Sequence, residues 1–575
     1  MSKENLTESV VKAFSAHPYL WALGICLALD PFFLGSLNNI PNNALYMETF
    51  LVICAIAAGA AYLYRTREIK KVYVGLIAGL LIFSTIVGAK LYSGAENKAV
   101  WHLAGGYAIV IWLYWQAKSK ELSDQINSLF IMGLGFCLKL YYIIGTSTYT
   151  RQNDVHVFGG ESGHAGYMEY LLYNRHLPDF DVRERWQFCH PPLHHTISAI
   201  WIYINENIFK VGYDPARESI QTLTLFYAMC IMISAYKILR HFGLSGKALY
   251  IPLVVINFHP AFILFSGAIN NDVLSVALSM GAVVCTLNWY REQKMSTILK
   301  IALCVGLAMM TKVAAATVAP PIAIVFLTVF IAKLKKQWKQ LILQFLCFGI
   351  VCVPLGLWFG IRNYIKWKVP LTYVQEMSKD SYQYIGDMSF ISRITDFSPK
   401  LFANPYEQWG DADEFGVVKS YNEYNPLVAL LKNSLFGENI YEDTFGKDTY
   451  LNAVCAVFFW LALIIAAFAF VMIGFMCIKK TEAKLMEKLF LIAYYLMLMF
   501  TFYHSSAKYP FTCTMNFRYI TPTVIIGAAS VGMFVSRIQD NRDQASGTAV
   551  KVINCACLLF AVLSTFIYLN VCVNH

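Results

Sequence analysis

The chain reads as an all-α polytopic membrane protein, with about 15 transmembrane helices and further helices lying at the outer interface. Three observations predict this. Of 575 residues, 57% are hydrophobic and only 14% charged, giving a mean hydropathy of +0.49, far from the composition of soluble domains. Apolar runs of about 18 to 22 residues, long enough to cross a hydrocarbon core, begin near residues 19, 48, 72, 100, 127, 219, 247, 271, 297, 316, 340, 451, 485, 519 and 551. Polarity is gathered into two long segments rather than scattered through those runs.

Orientation follows from the bias of Lys and Arg toward cytoplasmic connectors. The basic connectors are Arg65–Lys71, Lys118–Lys120, Arg291–Lys294, Lys333–Lys339 and Lys479–Lys480. The N-terminus shows no cleavable signal-peptide pattern, so the apolar segment from Leu20 to Leu37 is expected to be retained. The stretch from Pro191 to Phe209 is long enough to span, yet a crossing there would put every later basic connector outside. It also carries His194, His195, Asn205, Glu206 and Asn207, so it is expected to lie flat as an amphipathic helix. Residues 1–120 then form an N-terminal four-helix membrane module whose role the sequence does not reveal. Residues 121–575 form the main membrane module, with extracytoplasmic loops at 148–219 and 362–449. Asn270-Asn271-Asp272 and the stretch His504 to Arg518 emerge on the same face as those loops. The second loop reads either as a cover packed on the membrane domain or as an acceptor-binding lid.

Composition also excludes functions. The net charge of +10 reflects cytoplasmic Lys and Arg, and no basic-aromatic motif points to nucleic acid. The 15 Cys contain no C-x-x-C pair and sit mostly in apolar runs, as small buried hydrophobes do. Cys189 and Cys513 fall on one predicted side, where a disulfide is conceivable.

The densest polar stretch runs from Arg151 to His195. It holds His156, His164, His176, His190, His194 and His195, with Asp154, Glu161, Glu169, Asp179, Asp181 and Glu184. Ionisable groups beside a bilayer mark substrate chemistry. Lys312, deep in an apolar run, reads as a helix-end residue snorkelling to the interface, with a polar cavity as the other reading.

Several patches share an order with a known family. SLFIMGLGFCLKLYYI leads into a polar loop containing Asp154, and HPPL follows at His190 to Leu193. GLAMMTK spans Gly306 to Lys312, PLGLWFGIRN spans Pro354 to Asn363, and NFRYITP spans Asn516 to Pro522. Over roughly residues 127 to 540 the chain resembles GT-C fold glycosyltransferases of the protein O-mannosyltransferase and aminoarabinose transferase type, glycosyltransferase family 39-like. It departs from them where many carry an Asp-Glu pair, since Asp154 here lies between Asn153 and Val155.

The resemblance implies an inverting enzyme of the cell envelope, moving a hexose or pentose from a polyprenyl-phosphate donor to an acceptor hydroxyl on the extracytoplasmic face. The acceptor is a lipid, a glycan or a protein. It further implies Asp154 as catalytic base. His190, Arg362 and Arg518 are candidates for the leaving phosphate, and Asp272 either orients the sugar or caps its helix. Glu161, His156 and His194 complete the expected substrate-binding set. No cofactor is expected, and no metal, although His156, His164, His194 and His195 are the ligands a metal would find. The membrane is expected to be a bacterial plasma membrane with the site facing outside, the alternative being the endoplasmic reticulum with a lumenal site. A transporter or flippase is the rival reading. It would place polar residues near the midplane of broken helices rather than in loops on one face.

Overall fold

The computed structural model describes residues 15–33, 105–108, 110–111, 124–375, 377–409, 423–446, 450–478, 484–540 and 544–573. Most of the expected 1–120 module, and the runs near 48, 72 and 100, lie outside the described residues. What is described is helical, with a single isolated β-bridge between Tyr384 and Phe511.

Among the described residues eight helices are long and apolar enough to span, nine when one bent pair counts as a crossing. The difference from fifteen has identifiable sources beyond the three runs just named. The run near 19 is α1 (Pro18–Phe33), only 16 residues long. α2 (Asp124–Ile144) leads to the first polar loop, which contains α3 (Gly163–Asn174), α4 (Leu193–Asn207) and α5 (Tyr213–Glu218). α6 (Ile220–His241) returns across the bundle. α7 (Gly246–Phe258) and α8 (Pro260–Gly267) meet at a 47° bend, because Pro260 cannot continue the ladder and starts a new helix. The His259 side chain caps that helix, accepting from Ala261 N at 3.2 Å. α9 (Asp272–Arg291) is followed by α10 (Met295–Thr311), 17 residues and so just short of a full span. The runs near 316 and 340 form one 49-residue helix, α11 (Ala319–Trp367). At 1.5 Å per residue it is roughly 73 Å long, over twice a hydrocarbon core. Gln337 interrupts it with φ −133° and ψ 16°, inside the basic connector Lys333–Lys339, so two crossings meet there.

The second polar loop carries α12 (Phe390–Thr395) and α13 (Pro426–Phe436), after which α14 (Tyr450–Ile478), α15 (Leu485–Lys508), α16 (Pro522–Asp540) and α17 (Gln544–Val573) complete the bundle. Close backbone approach holds its centre. A Cβ on Gly135 of α2 would lie 2.9 Å from Asn257 Cβ of α7, and just beyond it the buried Lys139 donates to Asn257 O at 2.7 Å. The last helix ties both halves together. Tyr568 donates to Leu435 O at 2.7 Å, and Val571 O accepts from Arg151 at 2.9 Å.

α4 has 15 residues, roughly 22 Å and shorter than a crossing. Its inner face packs Ala199 and Ile202 against Ala165 and Met168 of α3. Beneath them the buried Arg217 pairs with Glu169 at 2.6 Å, which commits that carboxylate to structure. In the second loop, buried Arg393 donates to Tyr424 O and Ser506 O at 2.9 and 2.7 Å. This fastens the loop onto the top of α15 as a packed cover. The conceivable disulfide does not form: Cys189 and Cys513 are both free. Each is turned to a different neighbour, Gln375 and Met377 respectively.

Candidate active site

The loop after α2 is shaped by its own backbone before any side chain acts. Asp154 and His156 adopt φ of 59° and 57°, a left-handed region that Asp and His enter more readily than most residues. The reversal lets the Asp154 and Val155 carbonyls accept from His164 N and Ala165 N, both at 3.0 Å. These are donors that the first turn of α3 would otherwise leave unsatisfied. Gly163 makes the approach possible, since a Cβ there would fall 2.4 Å from Val155 O. Folding the loop onto α3 aims Asp154 at the end of the bundle where α9 begins, α10 ends and the stretch before α16 lies.

There Arg518 Nη2 lies 2.8 Å from Asp154 Oδ2, and Arg518 Nε lies 3.4 Å from Asp272 Oδ2. Lys312 pairs with the other oxygen of Asp272. Asp272 is thus the first residue of α9 and turns to two cations rather than capping its helix. The cap position is Asn271, whose side chain makes no capping bond and donates instead to Thr311 O at 3.0 Å. Lys312 does not snorkel to the interface; it is bound within this cluster and its ammonium also lies over the Tyr519 ring.

A third carboxylate comes from the second loop. Glu438 accepts from Asn516. Asn153, with its amide turned to satisfy both neighbours, donates to Glu438 and accepts from Arg518 Nη1 at 3.1 Å. Asn516 also fixes the turn that presents Arg518, accepting from its backbone N at 2.8 Å. Burial pushes the Glu438 carboxyl up to about 7, with Arg518 and Asn516 opposing that rise. Glu407 behind it is likewise held well above the ordinary range by burial and by Glu438. Burial works against the Arg518 charge, but Tyr519, Asp154, Asp272 and Glu438 outweigh it and keep the guanidinium protonated. A cavity of about 40 Å³ lies beside the cluster, with Asn153, Phe265, Asn270, Glu438, Asn439 and Arg518 among its walls.

The histidines divide. His164 stacks between His190 and His195, with ring centroids 5.8 and 5.2 Å away, and its Nδ1 is 2.9 Å from His195 Nε2. His194 Nε2 lies 2.8 Å from Ile269 O, a bond that locks α4 onto the loop before α9. His190 is the member nearest the ion cluster. Burial, then Lys312, depress its imidazole to about 4, although Asp272 and Asp154 pull the other way. It is therefore a neutral group in the resting site and not a standing cation. His156 is exposed, as is Glu161, whose side chain is 84% exposed with Arg185 3.5 Å away. Arg362 lies outside the cluster, donating to the Pro178 carbonyl and to Asn363 Oδ1 and packing over Trp367.

Of the residues expected from sequence, the fold thus gathers Asp154, Asp272 and Arg518, with His190 alongside. It leaves His156 and Glu161 on the exposed rim, His194 in a packing role and Arg362 on the flanking wall. Sequence reasoning missed Glu438, Glu407, Asn516 and the pairing of Lys312. NFRYITP already contains Asn516, but nothing around Glu438 sets it apart from the other acids of its loop. Among the described residues no group of three or more His, Cys, Asp or Glu is arranged to hold a metal.

The histidine cluster makes a prediction about acid stability. An unfolded imidazole takes up its proton near 6.5, whereas burial holds His190 and His194 neutral to about 4 and depresses His164 and His195 as well. As pH falls through that interval the unfolded chain binds the extra protons, so stability is full above about 6.5 and declines toward 4. Thermal unfolding in detergent is expected at a lower temperature near pH 5 than at neutral pH. An unchanged midpoint would contradict the buried neutral cluster.

A search of curated proteins finds no match to this chain. Residues 190–358, a segment that opens at His190 and contains Asp272 and Lys312, match the family model described as dolichyl-phosphate-mannose-protein mannosyltransferase. That match covers under a third of the chain and, together with the apolar helices, is consistent with a polytopic membrane glycosyltransferase of GT-C fold.

Proposed function

We propose that the protein is an inverting glycosyltransferase that moves a monosaccharide from a polyprenyl phosphate to an acceptor hydroxyl on the extracytoplasmic face. The observation that carries this reading is the state of Asp154. Its side chain is 31% exposed while Asp272 beside it is 6% exposed, so Asp154 is the carboxylate that an incoming hydroxyl reaches. Arg518 holds it in a fixed orientation, as a general base requires. The acceptor oxygen forms its bond to the anomeric carbon from the face opposite the phosphate and gives its proton to Asp154. The bond from the anomeric carbon to the phosphate oxygen breaks, and its electron pair leaves with the phosphate. Arg518 and Lys312 are the fixed cations toward which that charge develops. His190 adds a neutral N–H donor that becomes easier to protonate once a phosphate dianion lies beside it. His156 and Glu161 on the open rim suit the acceptor, and Arg362 on the flanking wall suits the donor's lipid-proximal side.

Sidedness is supported by the helices themselves. α9 runs from Asp272 in the cluster to Arg291, where the basic connector begins, and such connectors favour the cytoplasm. Only Glu292, Gln293 and Lys294 separate α9 from α10, which leaves no room there for a nucleotide-binding βαβ unit. This supports a donor sugar that arrives already carried by a lipid. Purified protein is expected to transfer from a polyprenyl-phosphate monosaccharide without added divalent metal, because fixed cations serve the leaving phosphate. Robust transfer from a soluble nucleotide sugar with no lipid donor present would overturn the proposal.

A further inference from the structure

A cavity of about 440 Å³ lies at the opposite end of the bundle from Asp154. It is bounded by the start of α1, the first turns of α2 and the last turns of α6 and α9, with Gln125, Ser128, Lys237, Arg240, Leu287 and Asn288 in its walls. Since α9 begins in the ion cluster at Asp272 and reaches the cavity only at its far end, roughly 24 Å of helix separates the two. This cavity belongs to neither the transfer site nor its loops.

Its charge is unbalanced in one identifiable place. Arg240 is paired with Asp124 at 3.3 Å, and Asp124 also accepts from Gly246 N at 3.1 Å and from the Tyr250 hydroxyl. His241 is 2.9 Å from Glu487, which also binds Arg291. Lys237 has no carboxylate partner among the described residues; its ammonium lies over the Tyr19 ring, 4.1 Å from the centroid. A lysine within a spanning helix is costly without a counter-charge. The Ser128 hydroxyl in the same cavity is a second unfinished group: the residue is 1% exposed and its oxygen has no hydrogen-bond partner among the described residues. Gln125 and Asn288 add amide donors at the exposed rim. Met132, Ile233 and Leu287 supply apolar wall deeper in.

We infer that this cavity binds the phosphate head group of a membrane lipid, with Lys237 as counter-charge and Ser128 as a donor to a phosphate oxygen, on the membrane face opposite the transfer site. The volume lies within the range of small-ligand sites and suits a head group rather than a whole lipid. A phosphate presents enough acceptor oxygens for donors arriving from three helices, and the ends of spanning helices lie at the level where lipid head groups reside. The phosphate comes either from a bulk phospholipid or from a polyprenyl phosphate, and the two are distinguishable.

The test uses the full chain in detergent with dihexanoyl phosphatidate as probe and calorimetric titration as readout. Phosphatidate is expected to bind, dihexanoyl phosphatidylcholine to bind much more weakly, and Lys237→Gln to weaken phosphatidate by about tenfold or more. Ser128→Ala is expected to weaken it by a smaller factor, and it keeps the question answerable should the lysine variant fold poorly. Glycosyl transfer by both variants should stay at the wild-type rate, so a failure here is separable from a failure of the proposed function. Equal affinity for the two lipids, or phosphatidate affinity unchanged in both variants, would overturn the inference. If farnesyl phosphate displaces bound phosphatidate, the natural occupant is a polyprenyl phosphate; if it does not, the occupant is a phospholipid.

Discussion

Asp154→Asn is expected to lower turnover by about 10²- to 10⁴-fold, the usual contribution of a positioned general base, while donor binding persists. Asparagine keeps the shape of the side chain and still offers an oxygen to Arg518, which sits 2.8 Å from the native carboxylate, but it cannot take a proton from the acceptor. The measurement is single-turnover transfer from a labelled lipid donor alongside direct titration of donor binding. Near-normal transfer would move the base elsewhere. Asp272 would then be the next carboxylate to replace, because it is the other acid that Arg518 contacts directly.

The second large effect is expected at Arg518. Its guanidinium contacts Asp154 and Asp272 and reaches Glu438 through Asn153, so Arg518→Gln removes the cation that three carboxylates share. Loss of one preorganised donor to developing charge costs about 10²- to 10³-fold in turnover. Leaving buried acids without their partner costs on the order of 3–5 kcal/mol in stability. Part of that cost is relieved by protonation of Glu438, which burial already holds near 7. The donor KM should rise more than the acceptor KM. Arg518→Lys should restore stability better than turnover, since a point charge cannot reproduce the two-sided hydrogen bonding of a planar guanidinium. An acceptor-selective defect would refute the phosphate role. The same measurement on Arg362→Gln asks whether the flanking wall also serves the donor.

How far these residues were legible from sequence depends on where they lie. The helical class followed from runs of apolar residues, which is a local property. The short patches each deliver a residue to the site when they stand at a helix end beside a loop: HPPL brings His190, GLAMMTK brings Lys312 and NFRYITP brings Arg518. PLGLWFGIRN behaves differently because its Arg362 finds a carbonyl in the first loop before it can reach the acids. Glu438 and Glu407 were invisible for a physical reason. Their loop has no periodic pattern, and what distinguishes them is burial against Asn433 and Asn516, a property of tertiary packing alone. The number of crossings is least legible where two runs join without a break in the helix, as at Gln337, since one backbone distortion decides whether α11 is one rod or two.

The pair at the heart of the site also sets a schedule for making the protein. Asp154 and Arg518 are 364 residues apart in the chain, and at about 5–20 residues per second roughly 20–70 s of synthesis separate them. Asp272 meets Lys312 within a single helical hairpin, so half of the cluster can form early. Asp154 must wait, facing water at the membrane surface, until α15 is inserted and the turn beyond it has emerged. A ribosome halted before that point leaves a largely inserted polypeptide with Asp154 exposed and Arg518 not yet made. On the proposed roles of these residues, the ion cluster is completed in one late step of biogenesis, and a chain that ends before Arg518 lacks the Asp154–Arg518 pair.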